Sequence, residues 1–102
     1  MSIKLTPYDP AEMLNDPESV AIFLADVFET SDPAFIAHAL GIAARSAGMT
    51  EIARKTGLSR EALYRSLTEN GNPSLRSLMG VLDALGLKMT VRPKDEQRSA
   101  AE

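Results

Sequence analysis

Apolar side chains recur along residues 17–85 at the three- and four-residue spacing of one helical face, in runs separated by turn residues. Val20, Phe23, Leu24, Val27 and Phe28 form one such face, and the spacing predicts a helix over about 17–29 with Glu18, Asp26 and Glu29 on its other side. Ile36, Ala39, Leu40, Ala43 and Ala44 form a slimmer face that predicts a helix over 33–47, slim enough for a neighbour to pack closely, with Gly48 as its C-terminal cap. Gly41 inside that helix costs about 1 kcal/mol relative to alanine, so a close backbone approach or a slight kink is expected there. A further helix is predicted over 74–85 with Leu75, Leu78, Met79, Leu82 and Leu85 as its core face, closed by Gly86. The period then changes to alternation: Leu87, Met89 and Val91 are apolar while Lys88, Thr90 and Arg92 are polar, which predicts a half-buried strand over 87–92 ended by Pro93.

Three Asp-Pro pairs, Asp9-Pro10, Asp16-Pro17 and Asp32-Pro33, are helix starts. The aspartate accepts from the first free amides, and proline at the first helical position gives up no hydrogen bond. The first pair predicts a single turn over about 10–14, anchored by Tyr8, Met13 and Leu14. No second strand signal accompanies residues 87–92, so the economical partner for that strand is the same strand of a second copy, antiparallel about a two-fold axis, with Leu87, Met89 and Val91 at the dimer interface.

The central stretch from Met49 to Leu67, MTEIARKTGLSREALYRSL, has the spacing of two short helices joined at Gly57-Leu58-Ser59. Gly57 permits the positive φ of the turn, Ser59 can cap the second helix, Ala53 is small where the helices cross, and Leu58, Leu63 and Leu67 point to a core. Such a unit is either a plain helical hairpin or a helix-turn-helix, in which the second helix enters the DNA major groove. For DNA, Arg60 or Arg65 would pair with guanine or phosphate, Tyr64 would donate to phosphate or touch a thymine methyl, and Glu61 would accept from cytosine. Glu61 and Arg65 also stand at i and i+4, where they could simply pair with each other. Thr50 and Ser74 begin helices and would either meet phosphates or act only as caps, and Arg76 would steady the same backbone. Asn70 and Asn72 are turn formers.

Composition changes the picture in two ways. With 102 residues, no cysteine and a single histidine, the chain is expected to be one domain with neither disulfide, metal cluster nor cofactor, and His38 is expected to be a surface or packing residue and not part of an enzyme centre. No signal-like or membrane-spanning apolar run occurs, so a cytoplasmic, non-membrane protein is expected. The net charge of −3 is unevenly spread. Residues 1–48 hold two basic and seven acidic side chains, net −5, whereas residues 49–79 hold five basic and three acidic, net +2. This suggests two surfaces with different partners, and a basic excess so small that a dimer is needed for useful DNA affinity.

Over nearly its whole length the chain resembles the antidote proteins of bacterial addiction modules, the Cro/cI-type antitoxins found with RelE/ParE-like toxins. The likeness is carried by LTPYDPAEML, IARKTGLSREALYRSL, NGNPSLRSL and VLDALGLKMTV. The resemblance implies a mainly α, Cro/cI-like bundle of five to six helices with the C-terminal strand pairing across a homodimer. It implies binding to a palindromic operator in double-stranded DNA, repression of the chain's own operon, and neutralisation of a cognate toxin. It also implies placement of Thr50, Ser59, Arg60, Tyr64 and Arg65 near DNA. Residues 1–31 would be a helical extension, 32–86 the DNA-binding bundle, 87–92 the dimerisation strand, all within one domain over 1–93, and 94–102 a disordered tail. Ser66 departs from the Cro pattern, which has an apolar residue there, and so leaves the rotational setting of the recognition helix open. The alternatives are a Cro/cI-like repressor without a toxin partner and a protein-interaction adaptor using the acidic N-terminal half.

Overall fold

The computed structural model describes residues 16–94; the turn expected over 10–14 and residues 95–102 of the expected tail lie outside them. Five helices follow in order: α1 (Pro17–Phe28), α2 (Pro33–Ala47), α3 (Met49–Thr56), α4 (Arg60–Ser66) and α5 (Leu75–Ala84). Two of the Asp-Pro starts do what their chemistry dictates. The Asp16 carboxylate accepts from the Ser19 amide at 2.7 Å, and that of Asp32 accepts from the amides of Ala34 and Phe35 at 3.1 and 3.4 Å. At the far end of α2 the Gly48 amide donates to the carbonyls of Ala44 and Arg45, and α3 begins at the next residue.

The apolar faces meet in one core. Val20, Leu24 and Val27 of α1, Ala39, Leu40, Ala43 and Ala44 of α2, Met49 and Ile52 of α3, Leu63 and Leu67 around α4, and Val81, Leu82 and Leu85 around α5 are all buried. Fully burying a leucine, isoleucine or valine stabilises by about 1.5–3 kcal/mol, and Leu40, Ile52, Leu63 and Val81 are the largest side chains buried to that degree. Helix α3 sits centrally and packs against α2, α4 and α5, while α2 also packs against α1 and α4. The contact between α2 and α4 is backbone against backbone: a β-carbon added to Gly41 would collide with the Leu67 carbonyl oxygen.

Two expectations need correction. The face of α5 is rotated from the one anticipated. Leu78, Val81, Leu82 and Leu85 face inward, while Leu75 and Met79 are 66% and 51% exposed. At about 100° per residue, Leu75 lies roughly 120° around the helix from Val81, so once Val81 occupies the centre of the contact Leu75 falls at its edge. The strand expected over 87–92 is also not seen: among the described residues there is no strand. A strand is defined by a ladder, and among the described residues no other extended segment lies alongside to complete one. The segment instead continues from α5 beside α1. The Leu87 amide donates to the Leu82 carbonyl at 2.8 Å, Leu87 packs on the core, and Arg92 pairs with Glu29 at 2.9 Å. Of the three anticipated dimer contacts, Leu87 is therefore largely committed to its own chain, Met89 is exposed, and Val91 is 93% exposed.

Candidate nucleic-acid interface

The turn between α3 and α4 is fixed by three local devices. Gly57 ends α3 in the left-handed region, at φ 79°, with its amide donating to the Ala53 carbonyl. This conformation costs any residue with a β-carbon. The Thr56 hydroxyl donates to the Ile52 carbonyl at 2.8 Å and accepts from the Leu58 amide at 3.2 Å, so it ties the end of α3 to the turn. Ser59 then caps α4, accepting from the Ala62 amide at 3.0 Å, and Leu58 packs on the core.

With Leu63 and Leu67 buried and Ala62 and Ser66 half-buried, α4 has one possible outer face, made by Arg60, Glu61, Tyr64 and Arg65. All four are exposed, and neither arginine has an ion-pair partner among the described residues. Glu61 and Arg65 do not pair with each other despite their i, i+4 spacing, so both remain available. Ser66 does not displace Leu63 or Leu67 from the core; it ends the helix at the margin of the contact.

The remaining candidates are also exposed but differ in their local roles. Thr50 is the second residue of α3 and caps nothing, since α3 starts from Gly48 without a side-chain cap. Ser74 caps α5, its oxygen accepting from the Ser77 amide at 3.0 Å, and Arg76, in the first turn of that helix, has no ion-pair partner among the described residues. Arg54, on α3, is engaged by Glu51 through a hydrogen-bonded ion pair. The Arg54 side chain holds the Glu51 carboxyl below its ordinary value, mainly through that hydrogen bond.

The sequence reading missed a group next to α4. A cleft of about 170 Å³ separates α2 from α4, and its walls include His38 and Arg45 of α2 with Tyr64 and Thr68 from α4 and its end. Arg45 had been counted with the acidic N-terminal half. The signal that could have found it was the set 38, 41, 42, 45, one stripe of α2 at helical spacing with a glycine in it.

A separate apolar groove of about 390 Å³ runs between α1 and residues 87–92. Ala21, Ala25, Phe28 and Met89 line it together with the Glu29–Arg92 ion pair. Residues 16–32 carry five acidic side chains and no lysine or arginine. Ile22, on the exposed side of α1, is 63% exposed. No helix among the described residues is long and apolar enough to cross a membrane, and none of their His, Asp and Glu side chains group into a set that could hold a metal ion.

No solved structure matches the chain. It is 37% identical over 92 residues to an uncharacterised protein of Haemophilus influenzae, an alignment that spans 90% of this chain and 95% of that protein. A family model described as probable addiction module antidote protein matches residues 4–93. With a match of that extent, covering all five helices and the segment that follows them, the chain belongs to the family of probable addiction module antidote proteins.

Proposed function

We propose that this protein is the DNA-binding antitoxin of a toxin–antitoxin pair: a homodimer that binds a palindromic operator, represses its own operon and neutralises a RelE/ParE-like toxin by direct contact. The observation that carries the DNA part is the outer face of α4. A capped, core-anchored seven-residue helix follows a glycine turn and presents Arg60, Glu61, Tyr64 and Arg65 together, with no ion pair to any of them among the described residues. That is the chemistry of major-groove reading, with arginine for guanine and carboxylate for cytosine. Thr50, Ser59, Ser74 and Arg76 are the backbone-contacting groups in this reading, because helix-start amides, hydroxyls and an unpaired guanidinium suit phosphate. Two copies joined near Met89 and Val91 would present two α4 helices to a palindrome about one helical turn apart.

The toxin part is supported by membership of the antidote family and by charge. A toxin that acts on RNA is expected to be basic, and α1 with its flanks offers Asp16, Glu18, Asp26, Glu29 and Asp32 beside the exposed Ile22. Co-expression with the neighbouring reading frame tests the whole reading. Growth arrest by that frame should be relieved by this chain, the two products should co-purify, and the complex should retard DNA from upstream of the operon. If arrest is not relieved and the products do not associate, the chain is a repressor without a toxin partner.

A further inference from the structure

The cleft between α2 and α4 combines a guanidinium, an imidazole and a phenol on an apolar floor that includes Met49 and Leu63. No acidic residue among the described ones lines it, although the chain has 14 acidic against 11 basic side chains. Among the described residues the carboxylates that form ion pairs, Glu51 and Glu29, are paired elsewhere with Arg54 and Arg92, which leaves Arg45 exposed and without a counter-ion among them. The composition of the cleft follows from packing. Gly41 lets the end of α4 rest directly on the backbone of α2, and this brings Tyr64 beside the stripe that carries His38 and Arg45.

An unpaired arginine flanked by two further hydrogen-bond donors suits a tetrahedral oxyanion, which the guanidinium can hold through two parallel N–H bonds. The cleft, at about 170 Å³, is smaller than the 300–1,000 Å³ typical of organic-ligand sites. Its wall residue Tyr64 belongs to the same outer face of α4 as Arg60 and Arg65.

We propose that this cleft seats a backbone phosphate of the DNA duplex, with the Arg45 guanidinium as its charge and the His38 imidazole and Tyr64 hydroxyl as donors. The proposal rests on the DNA-binding reading and adds to it a phosphate clamp supplied by α2, outside the helix-turn-helix. Phosphate contacts position a protein without reading sequence, so Arg45 should set affinity and register while Arg60 and Arg65 discriminate bases.

The test is a salt series of duplex titrations with the full chain, using operator DNA and an unrelated duplex. Arg45→Gln should weaken binding to both by roughly tenfold per bound copy. It should also flatten the slope of log K against log salt by about 0.9 per copy, the value of one lost phosphate contact. Lys94→Gln removes one positive charge from an exposed residue that follows the 87–92 segment and does not line the cleft, and should leave the slope unchanged; circular dichroism checks that both variants are folded. Equal slopes for Arg45→Gln and Lys94→Gln would overturn the proposal while leaving the DNA reading intact. A wild-type chain that binds neither duplex would sink both, and is recognised from the wild-type curves alone. A second arm follows the His38 ring signals by NMR as inorganic phosphate is added without DNA. Saturation at millimolar phosphate, abolished by Arg45→Gln and accompanied by an unchanged DNA salt slope, would assign the cleft to a free anion and overturn the proposal. A linear, weak response with the DNA slope flattened is the expected result.

Discussion

Gly41 of α2 lies against the Leu67 carbonyl at the end of α4 so closely that no β-carbon fits between them. Helix α4 is thus seated on the bundle by a backbone contact as well as by Leu63 and Leu67. Gly41→Ala should therefore destabilise the fold despite alanine's better helix propensity. A loss of about 1–3 kcal/mol, the usual cost of overpacking, is expected in urea unfolding. Gly80 is the internal control. A β-carbon there would meet only the Thr56 side chain, at 3.6 Å or more, so Gly80→Ala should stabilise by about 0.8–1 kcal/mol.

The turn glycine makes a different demand. A β-carbon at Gly57 would meet open space, but φ is 79°. Gly57→Ala should cost about 1–2 kcal/mol through backbone strain alone, and Gly57→Asn less, since asparagine tolerates the left-handed region. Unfolding curves of the two variants check the order. An equal cost would mean that the left-handed backbone at Gly57 is not what sets the penalty.

Glu51 and Arg54 supply the pH dependence that can be assigned to a residue. The Arg54 side chain holds the folded-state pKa of Glu51 below its ordinary value. For a carboxylate shifted in that direction, the contribution to stability is present above the unfolded pKa and fades as pH falls through the folded one. Because the pair lies at the surface, open to solvent on one side, the effect should be small and visible as a titration shift before it is visible in stability. Following the Glu51 side-chain carboxyl by NMR should show its midpoint rising in Arg54→Gln. No movement would mean that the pair does not persist in solution.

Much of this arrangement was legible in the chain, for identifiable physical reasons. Asp16-Pro17 and Asp32-Pro33 fix two helix starts through local hydrogen bonding, and the faces of α1 and α2 follow from period alone. Ser59 and Gly57 mark the turn between α3 and α4 because each satisfies a demand of its own position. What failed to show was set by packing between segments distant in sequence. On α5 the apolar arc is wider than the buried face, so Leu75 and Met79 could not be told from Val81 without knowing where α3 lies. Alternation over 87–92 cannot make a strand without a neighbour, and in this chain the segment is tied to α1 through Glu29 and Arg92. Arg45 joins Tyr64 only because Gly41 permits the helices to touch.

The acidic flank of α1 gives the toxin reading a handle. Ile22→Arg combined with Asp26→Lys changes the net charge of residues 16–32 from −5 to −2 and removes the exposed apolar side chain on a surface that the core does not use. The variant should keep its unfolding midpoint and its DNA affinity, or slightly raise the latter. It should lose at least tenfold in affinity for the toxin, measured by calorimetry on the purified pair, as charged partners that meet like charge are disfavoured. Unchanged affinity would move the toxin site away from α1.

The most direct test of the account is a quantitative titration of DNA from immediately upstream of the operon at moderate salt, with wild-type protein, Arg60→Ala and Arg65→Ala. We expect specific binding by the wild type that falls steeply with salt, and a loss of about 1–3 kcal/mol for each substitution on the upstream DNA, with a much smaller loss on an unrelated duplex. Upstream binding that survives both substitutions unchanged would contradict the assignment of α4 as the reading helix.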